Sequence, residues 1–438
     1  MTKRFPMIYI PIEVRSREFD GKALLAAMLA KRGYGVVIGS QWQLLNNLDC
    51  VPAGTLFVKS FNSYFHNPMR VAKDLGYRVL VLEEELLAHT EKSAIKNFCS
   101  TGIFDLPDVI LANSQFEKET LTEFSGGRVK IEVAGNPRVE IIKPAYQEFF
   151  TPDVEALRAR FGDFVLINTN FAVVNTHWAS LQEVTDIHVK AGFVNLDDPA
   201  SVQAWEDQIE FETLNKAAIL TAIRELCRRR PDQKIVLRPH PGEAVSRWDG
   251  VFADLPNVSV VKEGAHVPWT LACQMLLHTS CTTGFEAYVA GKAALSLTAK
   301  PNWISQSFIS NRLNPFFTDP IKLVDAAQAY LETGQLTTEG QLSRADAVRF
   351  VSNIGEKDGL QRTLGLLTDD LPKPRGKMPP PVLQRHVVAS KEATKFSMSL
   401  QEFGEIIQRM TGVIGRKPEL AGTQIGEGLF YLNRAHDA

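Results

Sequence analysis

The sequence predicts an α/β protein built from two doubly wound parallel-sheet domains facing a central cleft, with a helical C-terminal tail. Three observations carry that expectation. The chain has 438 residues, more than one ordinary core accommodates. Short apolar runs alternate with helical patterns along most of its length. A proline-rich stretch then separates a last helical segment from the rest.

Composition narrows the class. Apolar residues make up 45% and charged residues 22%, the balance of a globular chain. A formal net charge of −2 gives no global reason to bind nucleic acid or lipid. The five cysteines (Cys50, Cys99, Cys227, Cys273, Cys281) show neither zinc spacing nor a disulfide framework. No long apolar run and no signal-peptide pattern is present, so the expected location is cytoplasmic.

The first domain is expected over residues 1–150. Met7 to Pro11 reads as a buried strand, Gly21 to Lys31 as a helix ended by Gly33, and Val36 to Gly39 as the next strand. Thr55 to Val58, a helix around Met69 to Lys73, and Tyr77 to Leu82 continue the alternation. Val109 to Ala112 follows, then a helix from Gln115 to Phe124 with Asn113 or Ser114 as its cap, then Val129 to Val133.

A second series is expected over 151–340. It opens with the strand Phe164 to Asn168, followed by a long helix from Gln208 to Arg229 and the strand Lys234 to Leu237. Val258 to Val261, the apolar stretch Thr270 to Leu277, a helix from Phe285 to Ala290 and the strand Ala293 to Leu297 complete it. Residues 341–438 form the tail, with an extended connector at Leu371 to Pro381 and a helix at Ser399 to Thr411. The connector's Lys373, Arg375 and Lys377 could touch an anionic membrane surface, although three charges also suit a solvated linker.

In doubly wound sheets ligands bind beyond the C-terminal ends of the strands, so polar motifs at strand ends are the candidate site. His278-Thr279-Ser280-Cys281-Thr282-Thr283-Gly284-Phe285-Glu286 joins an apolar strand to a helix start. Its amides and hydroxyls suit a phosphate, Gly284 would permit close approach, and the same hydroxyls could instead cap the helix. Arg238-Pro239-His240-Pro241 ends another strand, where two prolines stiffen the loop that displays Arg238 and His240. His240 could donate to a departing phosphate. Asn168 and Asn170 end the domain's first strand and could line the same crevice.

In the first domain Glu83-Glu84-Glu85 follows a strand, and Glu84 or Glu85 could deprotonate an acceptor hydroxyl. The loop bearing Arg15, Arg17 and Glu18 could grip the acceptor. No Asp-x-Asp element, Walker-A loop or GxGxxG follows the strands, so neither a metal nor a further cofactor is expected.

Together RPHP, HTSCTTGFEAYVAGKAALS, ANSQFEKE and VAGNPR resemble GT-B glycosyltransferases with two Rossmann-like domains. More narrowly the chain is similar to surface carbohydrate biosynthesis proteins related to capsule Kdo transferases and bacterial polysialyltransferases. The resemblance implies a CMP-activated acidic sugar held by His240, Pro241, Ser280, Thr282 and Thr283. It also implies a base at Glu84-Glu85, where Leu86 stands in place of the family's glycine. The expected partners are a nucleotide-sugar donor and a glycan or lipid-linked glycan acceptor of capsule or lipopolysaccharide assembly. A UDP- or GDP-sugar transferase, a polyol-phosphate transferase and a non-catalytic sugar-binding subunit are the alternatives.

Overall fold

The computed structural model describes residues 4–87, 89–99, 103–336, 341–355, 359–376, 378–385 and 395–435. They fall into two units, Met1–Phe149 with Arg344–Ala438, and Phe150–Ser343. The first unit contains β1 (Met7–Ile12), β2 (Gly35–Ser40), β3 (Thr55–Val58), β4 (Arg78–Leu82), β5 (Val109–Ala112) and β6 (Lys130–Val133). The second contains β7 (Phe164–Asn168), β8 (Lys234–Arg238), β9 (Val258–Val260), β10 (Met275–His278), β11 (Ala294–Leu297) and β12 (Phe316–Phe317). The chain then returns to the first unit with β13 (Leu420–Gly426) and β14 (Leu429–Arg434).

The first sheet has the order β13-β14-β2-β1-β3-β4-β5-β6, and the second β12-β11-β10-β7-β8-β9. All pairings are parallel except the hairpin β13–β14 and its attachment to β2. Every residue of β1 and β2 is buried, because a parallel sheet is covered on both faces. Their sequences are therefore continuous apolar runs.

Alternation sorts the second sheet's side chains into two cores. Val165, Ile167, Ile235, Leu237 and Leu277 pack with Ile219 and Ile223 of the helix Pro199–Arg229. Phe164, Leu166, Val236 and Leu276 pack with Trp269 on the opposite face. The period of two continues to the strand ends, placing Asn168, Arg238 and His278 side by side on the Trp269 face. Neighbouring strands leave β7 in opposite directions, with β8 on one side and β10 on the other, so the topological switch point lies between β7 and β10.

Several elements differ from the sequence expectation. The first helix starts at Arg15, not Gly21, because the Glu18 carboxylate accepts the N–H groups of Glu13 (3.4 Å) and Val14 (3.2 Å) and closes its first turn. Arg15, Arg17 and Glu18 are thus helical rather than in a loop. The long helix begins at Pro199, with Asp198 as N-cap accepting from Ala200 N–H. The stretch Thr270 to Leu277 divides between the helix His266–Ala272 and β10. The helix expected from Phe285 starts at Thr282. The helix Leu181–Lys190 and the hairpin β13–β14 were not expected at all.

The segment read as a separate tail thus completes the first sheet. Residues 371–376 and 378–381 form neither helix nor strand, and Lys377 lies outside the described residues. Among the described residues no helix is long and apolar enough to cross a membrane.

Candidate functional site

The strand ends of the second unit form one polar row. Arg238, Asn168, His278 and Ser296 are register partners across β8, β7, β10 and β11. Beyond them the loop bearing His240 and the bend at Ser280 are tied together through the segment after β7. Asn170 Nδ2 donates to Ser280 O at 3.3 Å, while Thr169 Oγ1 donates to Glu243 Oε1 at 2.6 Å. The same carboxylate oxygen accepts His240 N–H at 3.0 Å. The two segments therefore converge at the switch point.

Glu243 is the hub of this arrangement and is fully buried. Oε1 also accepts Phe171 N–H at 3.1 Å, and Oε2 accepts Asn175 Nδ2 at 2.9 Å and Trp248 Nε1 at 3.2 Å. Five donors on one carboxylate supply the compensation that a buried charge requires. The result fixes the backbone of the His240 loop. Gly242 N–H then donates to His240 Nδ1 at 3.1 Å. An Nδ1 that accepts carries no proton, so the neutral ring holds its proton on Nε2. Gly242 is needed there, since a Cβ would come within 2.9 Å of Ala172 Cβ.

Arg238 is not displayed toward a ligand, contrary to the sequence expectation. Its Nη2 donates to Glu263 O (2.8 Å) and Gly264 O (3.0 Å), and the guanidinium lies 4.9 Å from the Trp269 ring centroid. Burial lowers its pKa to about 10, which leaves it cationic at neutral pH. The half-buried cation takes carbonyls of the next loop as acceptors through Nη2, while its Nε has no hydrogen-bond partner. Pro241 is exposed, and its carbonyl accepts Lys262 Nζ at 2.9 Å.

The hydroxyl-rich bend divides into an inward and an outward part. Ser280 is fully buried at φ 52°, in the left-handed region that non-glycine residues rarely adopt. Its Oγ lies 2.8 Å from Thr298 Oγ1 and accepts from Asn311 Nδ2 at 2.8 Å, so it braces the bend and does not face a ligand. Thr282 and Thr283 are half-buried in the first turn of the helix Thr282–Val289, the end whose dipole favours an anion, and Gly284 N–H there donates to Cys281 O at 3.1 Å. Thr283 Oγ1 donates to Cys281 Sγ at 3.2 Å.

Gly284 makes room for a side chain rather than a ligand. A Cβ on it would sit 2.1 Å from His278 Nε2. His278 is fully buried, and burial lowers its pKa to about 3, so the ring is neutral and structural. Glu286, also buried, has Oε2 2.5 Å from His266 Nε2. Asn168 differs from these, because neither polar atom of its buried amide has a hydrogen-bond partner. Thr279 Oγ1 is likewise buried without one. An orphaned amide at a switch point can take a ligand or a water.

No model of a protein family and no curated protein matches this sequence. Solved structures are similar in shape. A UDP-GlcNAc 2-epimerase of Methanocaldococcus jannaschii, in complex with UDP-GlcNAc and UDP, superposes with TM-score 0.51 at 14% identity, covering 83% of this chain and 99% of that one. A putative UDP-N-acetylglucosamine 2-epimerase from Listeria monocytogenes gives TM-score 0.51 at 13% identity over 86% of this chain and 100% of that one. A variant of the wall teichoic acid polymerase TagF gives 0.50 at 10% identity over 84% and 90%. The fold is GT-B. At such identities the likeness concerns architecture alone.

The GT-B chain's first unit gathers its candidate residues into a dense ionic cluster. Lys22 Nζ lies 2.9 Å from both Glu18 Oε2 and Glu84 Oε1, and all three side chains are buried. Lys59 bridges Glu13 (2.5 Å) and Glu18 (3.3 Å), Arg138 lies 3.9 Å from Glu84, and Arg17 pairs with Glu85. Burial alone would raise the Glu18 carboxyl, yet Lys22 and Lys59 carry it down to about 2. Burial likewise opposes ionisation of Glu85, and Arg17 holds it below the usual carboxylate range. Such pairing makes Glu85 a weak base as it stands. Glu84 is 4% exposed and tied to Lys22, whereas the Glu85 side chain is 44% exposed. Arg15 pairs with Glu402 and donates to Ser397 O at 2.9 Å, so it holds the returning C-terminal segment.

Sequence reasoning missed Glu243, Asn311, Asn314 and His266. For Glu243 a signal existed: a carboxylate three residues after His240 is placed to accept that residue's N–H. Asn314 donates to Gly284 O at 3.0 Å and Asn311 to Ser280 Oγ from a segment without any local motif, so neither was legible.

Proposed function

We propose that this GT-B chain is a glycosyltransferase of bacterial surface-polysaccharide assembly, with a nucleotide-activated sugar held by the second unit. The observation that carries this reading is the hydrogen-bonded bridge running from His240 through Glu243, Thr169 and Asn170 to Ser280 at the switch point. It ties the His240 loop to the bend that precedes the helix Thr282–Val289, beyond the ends of β7, β8 and β10. Nucleotide phosphates suit such a strand-end surface.

In the proposed reaction an acceptor hydroxyl attacks the anomeric carbon. The bond from that carbon to the phosphate oxygen breaks, and the nucleotide departs with the electron pair. His240 Nε2–H donates to a phosphate oxygen, Thr282 and Thr283 cradle the same group, and Asn168 and Asn170 orient the donor. The acceptor is assigned to the first unit, where Glu85 takes the proton once the acceptor displaces Arg17 from it; Glu84 is the alternative base. Arg17 then neutralises charge on the acceptor. The finer reading is a CMP-linked acidic sugar of Kdo or nonulosonate type, transferred without a metal to a glycan or lipid-linked glycan.

A UDP-linked donor is the second reading, because the M. jannaschii epimerase of the same fold is in complex with UDP-GlcNAc and UDP. Thermal shift against CMP, UDP and GDP separates the two, since a ligand of the native state raises the melting temperature. Preference for UDP defeats the CMP assignment. His240→Ala is expected to reduce transfer by about 10²–10³-fold. Undiminished turnover removes His240 from the reaction.

A further inference from the structure

The exposed edges of the two sheets are protected unequally. β12 has two residues, β9 three, and β6 four with Lys130 and Glu132 among them. Short or charged edges resist the addition of another strand. β13, at the remaining edge, is seven residues long, without a charge or a proline, and Ala421 to Gln424 are exposed.

The ladder to β14 fixes which backbone groups of β13 face outward. Ala435 N–H donates to Glu419 O at 2.8 Å across their pair, which makes it a hydrogen-bonded pair. By alternation Ala421 and Thr423 bond to β14, at their partners Asn433 and Tyr431. The N–H and C=O groups of Leu420, Gly422 and Gln424 therefore point away from the sheet.

We propose that β13 is a self-pairing edge at which two copies of this chain join, antiparallel about a two-fold axis at Gly422. The eight-stranded sheet then runs on into its counterpart. This register sets Leu420 against Gln424 of the second copy and Gly422 against itself, so all three outward residues of each strand are used in about six hydrogen bonds. A two-fold at Thr423 instead presents to the partner groups that are already bonded to β14. A register shift between Gln424 and Gly426 ends the ladder there. The contact is isologous and closes at two copies.

Ala421 and Thr423 provide a register-specific test. They face each other across the proposed pairing as a non-hydrogen-bonded pair, where side chains approach closely. They also lie on the sheet face opposite Phe403, which packs over Gly422. Sedimentation equilibrium of the full chain across the micromolar range is expected to show a dimer. Ala421→Lys with Thr423→Lys sets like charges together twice and is expected to weaken association by at least about tenfold. Ala421→Lys with Thr423→Glu joins unlike charges and is expected to remain dimeric. Amide exchange in the wild type keeps the proposal testable if a variant misfolds: Leu420, Gly422 and Gln424 should exchange more slowly as concentration rises. A wild type that is monomeric throughout overturns the proposal. So does a dimer indifferent to both variants, a dimer lost in both, or exchange at those three amides independent of concentration.

Discussion

Replacing Glu243 by glutamine keeps the shape of the side chain and turns one acceptor oxygen into a donor. All five partners of the carboxylate are donors: Thr169 Oγ1, Phe171 N–H and His240 N–H on Oε1, and Asn175 Nδ2 and Trp248 Nε1 on Oε2. An amide NH2 in the Oε2 position confronts two donors. In the Oε1 position it confronts the two backbone N–H groups, because only the Thr169 hydroxyl can rotate to accept. Either orientation strands two buried donors. At about 1–3 kcal/mol for each, Glu243→Gln is expected to destabilise the second unit by about 2–6 kcal/mol. That is a large fraction of the roughly 5–15 kcal/mol that holds a domain together. Because the chain has two units, a single unfolding midpoint is not the right measure. Hydrogen exchange in urea, read on peptides covering 164–175 and 234–248, isolates the affected region. A loss below about 0.5 kcal/mol, the range of an ordinary surface change, refutes the assignment of Glu243 as the hub of the His240 loop.

Other outcomes follow from the same contacts. Gly284→Ala forces a methyl to 2.1 Å from His278 Nε2 and 2.5 Å from its Cε1, so a cost of about 1–3 kcal/mol to the second unit is expected, read by hydrogen exchange in urea on peptides covering 275–290; unchanged exchange there refutes the packing. Asn168→Leu removes an amide without partners, so stability should hold or rise while nucleotide-induced thermal shift falls; an intact shift excludes Asn168 from the donor site. Burial pushes the Glu83 and Glu117 carboxyls up to about 8 from an ordinary 4.5. The native state then holds protons that the unfolded chain has released, so the first unit loses stability as pH rises from 4.5 to about 8. Glu83→Gln should flatten part of that slope in urea titrations, and an identical slope counts against the assignment.

The parallel strands were legible because a strand buried on both faces must be an unbroken apolar run, as Met7–Ile12 is and as β7 is up to Ile167. The location of the candidate site was legible for the same reason, since polar motifs stood where those runs ended. Direction was not. Whether the Ser280 hydroxyl points outward is decided by Thr298 and Asn311, far along the chain, and whether Gly284 faces a ligand is decided by the His278 ring. The first turn at Arg15 was hidden because its cap is a carboxylate inside the helix, whereas apolar periodicity begins later. β13 escaped notice because most of its residues are exposed and nothing alternates.

The return of the chain to its first sheet imposes an order on synthesis. β2 can pair with β1 as soon as the early residues leave the ribosome, but its other edge is completed by β14, near residue 430. The entire second unit is made in the interval. During that time the nascent chain carries an open strand edge at Val36 and Ile38, whose eventual partners Leu432 and Phe430 do not yet exist. A ribosome stalled late in the message would release a chain with its second sheet whole and its first unfinished, a form suited to capture by chaperones or proteases.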